Sequence, residues 1–131
     1  MTGIDTNVLV RYLTRDDADQ YQRAKAFLEA TCTERNPGYI NTIVLSELVW
    51  VLKAAYSATK DELVTVLDQI LLTRQFEVAH RDAVRAALQD FKQGAADFSD
   101  GLIGRLNREA GCAETSTFDQ KAGKLDGFHL L

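Results

Sequence analysis

Gly3-Ile4-Asp5-Thr6-Asn7-Val8-Leu9-Val10 is the stretch on which the fold turns. Gly3-Ile4-Asp5 reads as the end of a short buried strand. Thr6 to Leu13, with Val8, Leu9 and Leu13 apolar, reads as the helix that follows. The same alternation continues along the chain. A helix from about Asp17 to Thr33 has Tyr21, Ala24 and Leu28 on one face, and Pro37-Gly38 breaks the pattern after it. Tyr39-Ile40-Asn41 is the next strand, and Asn41 or Thr42 caps a helix from Ile43 to Tyr56. Thr59-x-x-Glu62 is a capping box ahead of the apolar stripe Leu63, Val64, Leu67, Ile70 and Leu71. Phe76 to Ala79 alternates like a strand, and Val84, Ala87, Leu88 and Phe91 mark a helix ended by Gly94. A further helix spans Phe98 to Ala110, before strands at Cys112–Thr117 and Phe128–Leu131. Strands separated by helices imply an α/β fold with a central parallel sheet and helices on both faces, because parallel neighbours need crossovers.

Composition bounds the rest. A length of 131 residues implies one domain, 1–131, large enough to bury a core without disulfide or metal staples. Apolar residues at 46% and charged residues at 26% are ordinary globular values and exclude a disordered or collagen-like chain. No apolar run spans a bilayer. Met1-Thr2-Gly3-Ile4-Asp5 lacks the basic stretch and apolar run of a signal peptide, so a cytoplasmic location is expected. Cys32 and Cys112 form no CxxC pair and read as two small core residues. Fifteen basic against nineteen acidic residues give a net charge of −4, which disfavours a protein that coats nucleic acid by charge alone. Acids concentrated in a metal site are compatible with that balance.

Four acids stand in places that need explaining. Asp5 follows a strand at its C-terminal end, the edge where ligands bind in open α/β sheets, although it also suits a helix N-cap. Glu47 lies in the most apolar helix, with Ile43, Val44, Trp50 and Val51 one turn away, where burying a carboxylate is costly. The competing reading is a narrow solvent-facing strip beside Ser46. Asp97 and Asp100 open the Phe98–Ala110 helix, as cap and first-turn acid. Asp100 shares a face with Ile103 and is expected to point inward. Asp119 follows the strand ending at Thr117, where an Asx turn is the alternative. Strand C-termini and the N-termini of the helices after them share one edge of a parallel sheet, so Asp5, Glu47, Asp100 and Asp119 are expected together there. Clustered carboxylates repel unless protonated or neutralised by a cation. Oxygen ligands suit Mg²⁺ or Mn²⁺ better than Zn²⁺.

These residues resemble a family. Ile4-Asp5-Thr6-Asn7-Val8-Leu9-Val10 is similar to the opening motif of PIN-domain ribonucleases, and Ser46-Glu47-Leu48 to their second acidic motif. Asp97-Phe98-Ser99-Asp100-Gly101-Leu102-Ile103-Gly104 resembles the third, with Asp100 matching its acid, and Thr117-Phe118-Asp119 the fourth. The ordered set covers nearly the whole chain, at a length typical of VapC-type toxins. The resemblance implies a PIN-like, flavodoxin-like sandwich and a Mg²⁺- or Mn²⁺-dependent endoribonuclease. It implies Asp5, Glu47, Asp100 and Asp119 as catalytic and metal-binding residues, with Thr6, Asn7, Asp97 and Thr117 in support. Cleavage would follow in-line attack by activated water on an RNA phosphodiester, leaving a 5′-phosphate and a 3′-hydroxyl. A homodimer and a VapB-type antitoxin are implied partners, with no membrane. Arg11 and Arg15, four apart on a helix, are candidates for RNA phosphate or a solvated surface pair. The Leu63–Leu71 stripe is a candidate dimer surface beside its reading as core.

Two departures stand out. Gln120-Lys121-Ala122-Gly123 replaces a further acid and the Phe after it, which leaves one or two metals open. Gly101 and Gly104 stand where relatives often have Ala, which implies closer packing. Rival readings fit less well. A haloacid-dehalogenase-like phosphatase needs a second Asp where Asn7 stands, and a receiver domain needs adjacent acids after the first strand. A degenerate, protein-binding domain need not keep all four acids.

Overall fold

In the computed structural model, which describes residues 1–131 throughout, strand and helix alternate as the hydrophobic pattern requires. The chain divides into two units, Met1–Ala79 and His80–Leu131.

The first unit runs β1 (Thr2–Gly3), α1 (Thr6–Thr14), α2 (Ala18–Thr31), β2 (Gly38–Ile40), α3 (Thr42–Tyr56), α4 (Lys60–Leu72) and β3 (Phe76–Val78). Its strands pair in the order β1-β2-β3, parallel throughout, with Thr2 opposite Gly38 and Gly38 opposite Phe76. Polar caps fix where the helices begin. Asp17 accepts from the Gln20 N–H, Asn41 accepts from the Val44 N–H, and Thr59 and Glu62 form the expected capping box. β1 is shorter than expected, because Asp5 leaves the strand to cap α1, while Ile4 still donates to the Tyr39 carbonyl at 3.0 Å. Gly38 is required by close approach: a Cβ there would meet Ile4 Cδ1 and lie 2.9 Å from Cys32 Sγ. The core of this unit centres on Leu9, Ile40, Leu45, Leu48, Leu67 and Val78. Of the α4 stripe, Leu63, Leu67 and Ile70 are buried in the core, while Val64 and Leu71 are half-buried.

The second unit runs α5 (Arg81–Gln93), α6 (Phe98–Glu109), β4 (Thr115–Thr117), a single 3₁₀ turn (Ala122–Lys124) and β5 (Phe128–Leu130). β4 and β5 pair in parallel. α5 packs on α6 through Val84, Ala87, Phe91 and Phe98, the last two edge to face at 6.3 Å. Asp90 accepts from both Nε and Nη2 of Arg105 at 2.8 Å, a bidentate clamp on the same pair. β4 begins three residues later than expected, because Gly111, at φ +99°, reverses the chain and Cys112 donates back to the Asn107 carbonyl. Cys32 is a core residue, but Cys112 is exposed in that reversal.

Gly104 explains one of the departures. A Cβ there would run into the Phe128 ring, with Cε2 and Cζ both closer than van der Waals contact allows. At Gly101 the nearest atom would be the Ala87 carbonyl oxygen at 3.7 Å, an ordinary contact. Closer packing therefore accounts for Gly104 and not for Gly101.

Candidate functional site

In the first unit, Asp5 and Glu47 are joined through Thr6. Asp5 is the exposed N-cap of α1, its Oδ1 accepting from the Thr6 N–H at 2.8 Å. Thr6 is buried, and its Oγ1 donates to Glu47 Oε1 at 3.0 Å. One residue thus fixes two carboxylates from adjacent elements, α1 and α3. Asn7 is exposed in the first turn of α1.

Glu47 is not buried, contrary to the cost argument from its neighbours. The core-facing arc of α3 is filled by Val44, Leu45, Leu48, Val49 and Leu52. Glu47 is exposed on the opposite side, with Ile43 and Trp50 at 68% and 70% exposure. Apolar neighbours at helical spacing do not imply burial when the helix has more apolar residues than its buried face can hold. The solvent-facing strip is the arrangement observed.

In the second unit, Asp97, Asp100 and Asp119 form a like-charged group. Asp97 occupies the N-cap position of α6 with extended backbone but makes no side-chain cap bond. Asp100, in the first turn, is half-buried. Burial, then the charges of Asp119 and Asp97, push its carboxyl above the ordinary carboxylate range. Ile103, expected to mark an inward stripe, is half exposed, because the core side of α6 is taken by Phe98, Gly101 and Leu102. Thr117 Oγ1 accepts from the Asp119 N–H at 3.0 Å, and Asp119 Oδ1 accepts from the Ala122 N–H at 2.8 Å. Asp119 is therefore the turn residue after β4, and one of its oxygens is already engaged.

Neither His lies among these acids: His80 pairs with Glu109 at 2.8 Å, and His129 sits in β5. Of the two arginines proposed for phosphate, Arg15 lies over the Tyr21 ring at 4.8 Å. Arg11 Nη1 donates to both oxygens of Asp16 at 3.1 and 3.3 Å. Asp16 also accepts from the Tyr56 hydroxyl at 2.6 Å and Thr14 Oγ1 at 2.9 Å. The hydrogen bond from Tyr56, then that from Thr14, and Arg11 behind them, hold the Asp16 carboxyl at about 2, below the ordinary 3.8. Sequence reading missed Asp16, since its partners lie up to 40 residues away. It also missed Gln20 and Arg23, which with Arg11 line a cavity between α1 and α2. Their spacing of three on one helix face was the available signal.

No three His, Cys, Asp or Glu side chains are gathered at ligating distance. The fit to a cation therefore rests on donor chemistry. All the candidate donors are carboxylate oxygens, the set for a hard divalent ion, and Asp100 stands beside the like charges of Asp119 and Asp97. No helix is long and apolar enough to cross a membrane.

Comparison with known proteins agrees with the motif reading. The family model described as PIN domain matches residues 4–127, spanning both units. A VapC ribonuclease of Aquifex aeolicus (strain VF5) is 24% identical over 131 residues, covering all of this chain and 96% of that protein.

Proposed function

Since the chain belongs to the PIN-domain family, we propose that it is a divalent-metal-dependent endoribonuclease that acts as a toxin and is neutralised by a cognate VapB-type antitoxin. The single observation that carries the reading is the crowding at the start of α6. Asp100 is half-buried beside Asp97 and Asp119, an arrangement that costs the isolated chain and favours cation binding. The likeness to a VapC ribonuclease over the full length supports the toxin assignment.

Asp5, Glu47, Asp100 and Asp119 are the residues that would hold Mg²⁺ or Mn²⁺, with one metal or two left to the stoichiometry. When bound, the ion supplies activation of water and neutralisation of charge on the phosphodiester. Thr6 orients Glu47 through its hydroxyl and donates its N–H to the Asp5 carboxylate, so its role is positional. Thr117 holds the turn that presents the second oxygen of Asp119. Asn7 stands beside Asp5 as a donor to water or phosphate. Asp97 adds charge next to Asp100. Hydrolysis breaks the bond from phosphorus to the 3′ oxygen and leaves a 5′-phosphate and a 3′-hydroxyl. The active protein is a homodimer in the cytoplasm, its 131 residues working as one PIN domain.

The test is end mapping of RNA after incubation with the purified protein and Mg²⁺ or Mn²⁺. Cleavage with 5′-phosphate ends, lost in chelator, is expected. Cyclic 2′,3′-phosphate ends, or cleavage indifferent to chelator, would overturn the mechanism. No cleavage, together with no heat of Mn²⁺ binding by calorimetry, would establish the protein-binding alternative. In cells, expression of the chain alone should arrest growth and Asp5→Ala should relieve the arrest at equal protein level.

A further inference from the structure

We propose that the cavity between α1 and α2 is a subsite for one unpaired ribonucleotide of the RNA, with phosphate on Arg11 and Arg23 and the base against the apolar lining residues. The proposal rests on the reading of the chain as an RNA-cleaving protein and adds a specificity site to it.

The cavity is open to solvent, with a volume of about 280 Å³. Its polar lining residues are Asn7 and Arg11 from α1 and Gln20 and Arg23 from α2. Its apolar lining residues are Val8, Ala24 and Phe27. The α2 positions are spaced three or four apart, so one helix face supplies an amide, a guanidinium and an aromatic ring in sequence. That is the donor set for a nucleotide. Arginine pairs with phosphate oxygens, amides carry both the donor and the acceptor that a base edge needs, and an aromatic ring takes a base face. The net charge of the chain is −4, and two arginines nevertheless line this one cavity.

Arg11 is prepared for this role. Only Nη1 is engaged with Asp16, which leaves Nε and Nη2 for an anion. Asp16 is itself held by Tyr56 and Thr14, and this keeps it charged and fixed. The guanidinium is therefore aimed before any ligand arrives, which lowers the ordering cost of binding. Arg23 makes a looser pair: Asp19 lies at 3.7 Å, with both side chains more than three-quarters exposed. An exposed pair of this kind contributes little and exchanges readily for phosphate. Position matters as well. Asn7 is in the first turn of α1, two residues past Asp5, so a nucleotide in the cavity would flank the Asp5–Glu47 pair.

The test is binding of a fluorescent single-stranded RNA of twelve nucleotides to the full chain in chelator, by anisotropy across a salt series. Arg23→Glu should weaken binding about tenfold and make the dependence of log affinity on log salt shallower by about one. Gln20→Ala should change the preference among homopolymers and leave the salt slope unaltered. Tyr56 is not a lining residue of the cavity, yet Tyr56→Phe, by releasing Asp16, should weaken binding severalfold. Arg23 is exposed, so a folding failure is not expected, and circular dichroism checks it. If the wild type cleaves RNA but Arg23→Glu and Gln20→Ala bind as tightly as it does, the subsite is overturned and the ribonuclease reading stands. If the wild type neither binds nor cleaves RNA, both fall. Displacement of the RNA by an acidic peptide of equal charge, at equal concentration, would show a general anion or protein site and overturn the nucleotide assignment.

Discussion

Asp5 and Glu47 in the first unit, and Asp100 and Asp119 in the second, are carboxylates at helix starts and strand ends, yet their surroundings differ. Asp5 and Glu47 are exposed and each accepts a hydrogen bond from Thr6, one from its N–H and one from its hydroxyl. Asp100 is half-buried, and burial and two neighbouring charges act against its ionisation. The first pair is positioned by hydrogen bonding and costs little to keep. The second is under electrostatic load that a cation would relieve. The proposed function asks the same of both groups, whereas stability distinguishes them.

The largest expected effect is therefore the one the two groups share. Asp100→Asn and Glu47→Gln should each lower cleavage of a labelled RNA in Mg²⁺ by at least about a hundredfold, since both amides are poor ligands for a hard cation. If Glu47→Gln stays active while Asp100→Asn does not, the two groups do not act on the same reaction and Glu47 leaves the site.

Packing offers a sharper contrast within α6. Gly104→Ala forces a methyl into the Phe128 ring and should cost about 1–3 kcal/mol in denaturant unfolding. Gly101→Ala meets only ordinary contacts and should be neutral or stabilising by up to about 1 kcal/mol, from helix propensity. Equal costs at the two glycines would mean that α6 does not sit against β5 as described.

Thr6 separates positioning from ligation. Thr6→Val keeps the shape but removes the hydroxyl that holds Glu47. It should cost about 0.5–1.5 kcal/mol, and cleavage should fall about tenfold. Thr6→Ser restores the donor and should recover most of the cleavage with some loss of packing. If Ser and Val behave alike, the hydrogen bond to Glu47 has no part in activity.

The sequence made the element order legible because caps and breaks punctuate it. Asp17, Asn41, Thr59 and Gly94 all stand where a helix starts or stops. The acidic motifs were legible as motifs. Side-chain direction was not. In α3 the apolar residues outnumber the positions its buried face can hold, so Ile43 and Trp50 face outward and gave a false signal for Glu47. In α6, Ile103 is itself half exposed, yet Asp100 is half-buried as expected. The Asp16 anchor was hidden because its donor Tyr56 comes from the far end of α3. Local periodicity carries no information about such a contact, which only the packing of α1 against α3 creates.

The smallest expected effect tests the load itself. A carboxyl whose folded-state pKa lies above its unfolded value favours the folded state when protonated. Asp100 thus contributes stability that is fully present below the unfolded pKa and lost as pH rises through the folded one. In chelator, raising pH from acid toward neutrality should remove this contribution from the wild type. Asp100→Asn cannot lose it, so its advantage over the wild type should grow with pH and level off once Asp100 is fully ionised. Glu47→Gln should behave differently. Glu47 is exposed, and its bond from the Thr6 hydroxyl survives in the amide carbonyl. Its stability in chelator near neutral pH should stay within about 0.5 kcal/mol of the wild type. Added Mn²⁺ should reverse the first comparison, stabilising the wild type more than Asp100→Asn, because binding to the folded state alone adds stability. Urea midpoints for the three proteins at several pH values, with chelator and with Mn²⁺, measure all of this. If the Asp100→Asn and wild-type midpoints run in parallel across pH, Asp100 carries no such load, and the contrast between the two acidic groups fails.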